Sequence, residues 1–221
     1  ENKIMEKVAI LFTGGKDSSL VACRAAKSYD EVHLLTANSG IGLGSSLTDI
    51  RVSELKEAFP ETKFIHKRIP TAALFREISI KNIEEDFNKW KVNLVLLGEK
   101  LAIHTVATQY CIENGISKMM DGSAKYQNDL AEQKMIAINL LTKFEREHGI
   151  SFETPIYNIK DGETVKYELL KMGVTNKSLE SVSIFGDSFS EPSDSIVNEY
   201  IESKLPLCEK YLADMNKLRV G

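Results

Sequence analysis

Cysteine is scarce in this 221-residue chain. Cys23, Cys111 and Cys208 lie far apart, with no Cys-x-x-Cys pair. That excludes a disulfide framework and supplies no zinc spacing, so zinc is not expected. Each thiol reads as a small buried apolar group, with a redox or sulfur-relay use left open for Cys208. No apolar run reaches about 18 residues, so no membrane span is expected. No secretory leader is recognisable in a sequence that opens on Glu1, and a reduced, cytoplasmic setting is the expectation. Surplus positive charge is absent too. Lys and Arg number 28 against 32 Asp and Glu, a net charge of −4. No global basic footprint for nucleic acid results, so an RNA partner gains no support from charge, although a local patch stays open.

What is present is a core and an alternation. Hydrophobic residues make up 43 % of the chain, enough for one α/β domain. Apolar or alternating runs predict strands at 7–12, 31–36, 63–66 and 118–120, and an extended segment at 153–157. Helices are expected at 17–28, 47–59, 101–114, 130–147, 163–172, 195–205 and 209–218. Residues 71–90 read as largely helical with a break near Ser79, and 92–97 as either strand or helix entry. Thr48 or Ser46 is placed to cap the second helix and Pro60 to stop it, while Gly115, Gly149 and Gly173 close later ones. Gly40-Ile41-Gly42-Leu43-Gly44 has the wrong third spacing for a dinucleotide loop and reads as a mobile loop, and the Ser/Gly/Asp-rich stretch 174–194 reads as loop.

This order predicts a doubly wound parallel sheet of about five strands with helices on both faces, over residues 1–175. Residues 176–221 are expected to form a helical C-terminal appendage that completes the substrate pocket. In such sheets ligands bind beyond the carboxyl ends of the strands, where the strand order reverses. Residues 13–19, 36–39 and Gly122-Ser123 all lie at such ends and are expected to converge.

The richest stretch is 8–19, VAILFTGGKDSS. An apolar strand runs through Leu11 and Phe12 into Thr13-Gly14-Gly15-Lys16-Asp17-Ser18-Ser19, and a helix opens at Asp17 or Ser18. Paired glycines let backbone approach an anion, and a helix N-terminus presents unpaired N–H groups and a positive dipole end. Thr13, Ser18 and Ser19 add hydroxyls, and Lys16 adds a mobile charge. Asp17, a carboxylate where an anion should sit, calls for a divalent cation or ammonium partner. The spacing does not fit a Walker A loop.

Thr13-Gly14-Gly15-Lys16-Asp17-Ser18 does resemble the Ser-Gly-Gly-x-Asp-Ser loop of the PP-loop ATP pyrophosphatase superfamily, whose folds are Rossmann-like. The resemblance implies ATP over that loop, adenylation of a substrate oxygen and release of pyrophosphate. It implies nucleotide contacts from Leu11, Phe12, Thr13, Gly14, Gly15, Asp17, Ser18, Ser19 and Gly122, with Thr36, Ala37 and Asn38 at the nucleoside. Lys16 and Lys100 would neutralise the pyrophosphate, Lys100 from a Gly98-Glu99-Lys100 helix head. Asp17 with Asp129 would hold Mg²⁺. Ser123, Tyr126, Gln127 and Gln133 look like acceptor contacts, in a pocket drawn from 41–46, 125–134 and 183–194. A carbonyl or carboxylate oxygen of a small molecule is the expected acceptor. Ammonia, an amine or sulfide then displaces AMP. The nearest branch is the 7-cyano-7-deazaguanine synthase-like group of queuosine synthesis, although its zinc cysteines are missing here. The alternatives are an ATP-dependent sulfur transferase acting on tRNA or a metabolite, and a non-catalytic adenine-nucleotide binder. A homodimer is left open.

Overall fold

A computed structural model describes residues 6–43, 47–179, 182–183 and 191–220. Strand β1 (Lys7–Leu11) leads through Phe12 to α1 (Lys16–Ala26), then β2 (Glu31–Ala37), a short β3 (Gly42–Leu43), α2 (Leu47–Ala58) and β4 (Lys63–Ile69). Next come α3 (Ala72–Phe75), a π-helical turn (Arg76–Ile80) and α4 (Ile83–Trp90). The undecided run at 92–97 turns out to be helix entry. Asn93 Oδ1 accepts from the Val95 N–H at 3.0 Å, and α5 runs from there as Val95–Asn114 to a left-handed Gly115.

The chain continues through β5 (Lys118–Met120), 3₁₀ turns at Lys125–Gln127 and Ala131–Gln133, α6 (Met135–Glu147) and β6 (Ser151–Glu153). It ends with α7 (Gly162–Lys171), β7 (Val182–Ser183) and α8 (Asp194–Val220). Several expectations are corrected here. The helix expected from residue 130 begins only at Met135, because Lys134 is extended at ψ 144°. The extended segment sits earlier than 153–157, and Thr154 turns the chain, its carbonyl accepting from Tyr157 N at 3.1 Å. The two terminal helices are one, with Pro206 inside it. Thr48 is not a cap but lies within α2. The two stretches read as loops instead contribute a small ribbon, Gly42 pairing with Ser183 and Leu43 with Val182. Gly44, Ser46 and most of 183–190 lie outside the described residues.

The main sheet has five strands in the order β4-β2-β1-β5-β6, all parallel. Alternate residues of β1 serve opposite faces. Ala9 and Leu11 join a core with α3 to α6 and α8, while Val8, Ile10 and Phe12 join one with α1, α2 and α7. The order reverses between β1 and β5. Among the described residues no helix is long and apolar enough to cross a membrane.

One polar anchor is buried beside this reversal. Gly14 is left-handed, at φ 82°, and an added Cβ would stand 2.5 Å from the Leu179 carbonyl. The Gly14 carbonyl accepts from Leu179 N at 3.2 Å and from Arg51 Nε at 3.5 Å. The Arg51 guanidinium, fully buried, also donates to Glu54 and the Thr175 carbonyl, each at 2.6 Å, and to the Lys177 carbonyl. Arg51→Leu would remove the donor from the Thr175 and Lys177 carbonyls and one of two donors from the Gly14 carbonyl and the Glu54 carboxylate. The expected loss is about 3 kcal/mol, read as a lower urea midpoint at unchanged slope.

Candidate active site

The carboxyl ends of β1 and β5 open into a cavity of about 400 Å³. From the first loop it is lined by Leu11, Thr13, Asp17 and Ser18, from the β5 turn by Asp121, Gly122 and Ser123. Helix α5 contributes Leu96, Glu99, Lys100 and Ile103, one face at spacings of three and four residues. The 3₁₀ turns contribute Gln127, Leu130, Glu132 and Gln133.

The loop hydroxyls hold the loop itself. Thr13 Oγ1 accepts from Gly15 N at 3.2 Å and lies 3.1 Å from Ser18 Oγ, which also accepts from Thr13 N at 3.2 Å. Ser19 Oγ donates to the Gly15 carbonyl at 2.6 Å. Helix α1 opens at Lys16, one residue before the expected Asp17, with Gly15 as its N-cap. The three hydroxyls are thus engaged within their own loop, while the backbone N–H groups that open α1 have no intrahelical acceptor. Gly122 explains how close the β5 turn can come. A Cβ there would lie 2.6 Å from Ser18 N and 2.9 Å from the Asp17 carbonyl carbon.

Opposite that amide end stands a charged triad. Lys100 Nζ donates to Ser123 Oγ and to the Glu132 carbonyl, each at 2.8 Å, and lies 3.1 Å from Asp121 Oδ2. Ser123 Oγ donates to the same carboxylate at 2.7 Å, and Ser123 N to its other oxygen at 2.9 Å. Burial pushes the Asp121 carboxyl up. The Lys100 ammonium, then His104 and the two Ser123 donors, outweigh it and hold the group below the usual carboxylate range. Two neighbours move the other way. Burial raises Glu99 despite a hydrogen bond from Ser39, with Glu132 adding to the rise. Burial raises Glu132, with the Asp129 carboxylate adding. One wall therefore carries an ionised carboxylate beside two that take up protons more readily, a division suited to acid–base work.

Of the residues expected from sequence, Leu11, Thr13, Asp17, Ser18, Lys100, Gly122, Ser123, Gln127 and Gln133 meet in this cavity. Phe12, Gly14, Gly15 and Ser19 shape the loop from behind. Thr36, Ala37 and Asn38 do not line it: the Thr36 hydroxyl donates to the Phe12 carbonyl at 2.9 Å, and Asn38 N bonds the Ile69 carbonyl at 2.9 Å. Asp129 is exposed in a turn and caps no helix, so it is not paired with Asp17 across the cavity. Lys16 and Tyr126 both contact the Asp17 carboxylate, and neither lines the cavity. Asp121, Glu99 and Glu132 were missed as site residues. The α5 face Leu96-Glu99-Lys100-Ile103 becomes visible only if the helix is started at Val95.

A magnesium ion would find Asp17 as a donor beside the amide end. Among the described residues no group of three or more His, Cys, Asp or Glu side chains is placed to hold a metal. That donor set fits Mg²⁺ in the mode where one or two carboxylates and a ligand's phosphates share the ion, rather than an all-protein cage.

No protein-family model matches the chain. Among solved structures it is similar to a 4-thiouridine synthetase in complex with RNA and bound ATP, at TM-score 0.67 and 14 % identity, over 94 % of this chain and 53 % of that one. The chain thus spans about half the length of that synthetase. A second similar structure is a predicted subunit of a tRNA methyltransferase from Methanocaldococcus jannaschii, at TM-score 0.49 and 19 % identity, over 90 % of this chain and 89 % of that one. The likeness to the synthetase establishes the fold, a parallel Rossmann-like sheet with a C-terminal helix.

The close approach of Gly122 generates a test. In Gly122→Ala the added methyl covers the Ser18 N–H. Pyrophosphate, titrated calorimetrically, is expected to bind at least about tenfold more weakly than to the wild type, the scale of one lost charge-assisted hydrogen bond.

Proposed function

We propose that this chain is an ATP-using enzyme of the PP-loop type that splits ATP between its α- and β-phosphates and adenylates an oxygen of a small-molecule acceptor. The observation that carries this reading is the meeting, at the strand-order reversal, of the α1 amide end and Asp17 with the Lys100–Ser123–Asp121 triad in one cavity. The bound ATP of the structurally similar synthetase supports the choice of nucleotide. The cavity suits it as well, with apolar Leu11, Leu96, Ile103 and Leu130 beside a polar end.

The chemistry follows from charge. A carbonyl or carboxylate oxygen is a poor leaving group. Attack of that oxygen on the α-phosphorus forms an O–P bond and breaks the bond to the pyrophosphate oxygen. The resulting adenylate then loses AMP to a nitrogen nucleophile, whose proton must be taken up. The amide end of α1 would hold the departing pyrophosphate, and Lys100 would offset charge that builds up. Asp121 keeps Lys100 aimed, and Glu99 or Glu132 is placed to accept the nucleophile's proton. Bound Mg²⁺, with Asp17 among its ligands, would supply further neutralisation of the phosphate oxygens.

A second reading, sulfur transfer to RNA, is favoured by the thiouridine synthetase likeness. It meets an obstacle in the thiols. All three cysteines are fully buried. Burial pushes Cys23 up to about 12, Cys208 up to about 11, and Cys111 higher still than its ordinary value. None is a thiolate poised to carry sulfur. Sulfur would have to arrive as sulfide or on another protein, and the acceptor pocket would have to take a nucleotide of the RNA.

Two measurements separate these readings. Pyrophosphate release from ATP is expected with the wild type in the presence of a panel of small carboxylate and amide acceptors and ammonia, and Asp17→Asn should lower it by roughly a hundredfold or more with its melting temperature kept. Binding without any release leaves only the non-catalytic nucleotide binder, and unchanged turnover in the variant removes Asp17 from the chemistry. For the second reading the probe is tRNA. Under adenylation of a small molecule, no affinity that falls steeply with salt is expected, and a steep salt slope would favour the RNA acceptor.

A further inference from the structure

Asp17 is held by two residues that do not line the cavity. The Tyr126 hydroxyl donates to Asp17 Oδ1. Lys16 Nζ lies 3.0 Å from Oδ2, and the same ammonium sits 5.4 Å from the centre of the Tyr126 ring. Each carboxylate oxygen therefore has a donor on the protein side, while the carboxylate as a whole keeps lone pairs for the cavity.

Each half of this arrangement is built by a different element. Tyr126 sits in the 3₁₀ turn Lys125–Gln127, pinned by Lys125 N to the Tyr157 carbonyl at 2.9 Å, and the next residue, Gln127, lines the cavity. The turn thus sends neighbouring side chains to opposite tasks. Lys16 lies along the first residue of α7, Gly162, where an added Cβ would come within 2.9 Å of Lys16 Cε and 3.8 Å of Tyr126 Cε2. Helix α7 is fixed at that point by the Asp161 carboxylate, which accepts from Thr164 N and Oγ1, each at 2.8 Å.

We propose, on the ATP-splitting reading above, that Tyr126 and Lys16 form a clamp that orients Asp17 toward a nucleotide-bound divalent cation, with Gly162 providing the space the lysine occupies. Tyr126 and Lys16 are then positioning residues. An acceptor contact for Tyr126, and direct neutralisation of pyrophosphate by Lys16, are not needed. A carboxylate at the start of a helix turns about two side-chain bonds, and donors on both oxygens fix its plane before any ligand arrives. Partners of this kind behind a metal ligand are commonly worth about ten- to a hundredfold in metal affinity.

The test uses Mn²⁺ as the probe, followed by electron paramagnetic resonance, with α,β-methylene-ATP as a nucleotide that cannot be split at the bond in question. Tyr126→Phe is expected to weaken Mn²⁺ binding in the presence of the analogue by about tenfold or more. Affinity for the analogue in excess chelator, and the melting temperature, should stay at wild-type values. Gly162→Ala, which touches neither Asp17 nor the cavity lining, should weaken Mn²⁺ in the same direction by displacing Lys16. Mn²⁺ affinities within twofold of wild type in both variants overturn the clamp. So does a Tyr126→Phe protein that loses the analogue equally with and without metal, since Tyr126 would then touch the nucleotide itself. A wild type that binds neither Mn²⁺ nor the analogue overturns the ATP reading and the clamp together.

Discussion

The shape of the first loop depends on a buried cation far from the cavity mouth. Left-handed Gly14 turns its carbonyl away from the sheet, and that carbonyl has no ladder partner. Arg51 and the Leu179 N–H supply one. The same guanidinium satisfies the carbonyls of Thr175 and Lys177, so a single side chain of α2 binds the loop to the segment after α7. Thr48 adds a second tie from α2, its hydroxyl donating to the Thr13 carbonyl at 3.3 Å. An arginine removed from water must have its donors matched, and here the matching acceptors are the carbonyls that an irregular segment leaves over. The cost of the irregular backbone and the cost of the buried charge offset one another.

With the loop held from one side, the β5 turn can close on it from the other. Gly122 is in contact with the backbone of α1, and Asp121, two residues before Ser123, is charged because Lys100 stands above it. Lys100 is reached only because α5 begins early and presents its first turns to the cavity. The site is thus a junction of three chain segments, the first loop and the β5 turn set by close backbone approach and α5 tied to the β5 turn through Lys100. Such contacts restrict how far the amide end and the ammonium can drift apart, which is the condition for electrostatic preorganisation.

Much of this was legible in the sequence where a single local rule dominates. The apolar run of β1, the glycine pair and the helix that follows have one reading, and the alternation of strands and helices has one common topology. Rules failed where two of them compete. At 92–97 the residues are apolar enough for a strand, and the Val95 N–H turned back onto Asn93 Oδ1 marks the helix start instead. At 129–134 the pattern continues a helix, yet the carbonyl of Glu132 is drawn to Lys100 and the chain stays in 3₁₀ and extended form until Met135. Asp129 lost its expected place through that delay. Arg51 could not be read at all, since a lone arginine on an amphipathic helix looks solvated until the segment 175–179 is seen folded over it.

Thr13, Ser18 and Ser19 show a further limit. In a strand–loop–helix that binds anions, hydroxyls and backbone amides are both plausible donors, and sequence spacing does not rank them. The geometry does, because each hydroxyl is within reach of an acceptor in its own loop. A hydroxyl that already donates to a loop carbonyl offers an incoming anion less than an amide with no partner, since binding would exchange one hydrogen bond for another. The amides gain a bond outright. The hydroxyl-rich motif therefore keeps the amides at the start of α1 aligned, and those amides belong to backbone that no side-chain substitution removes directly.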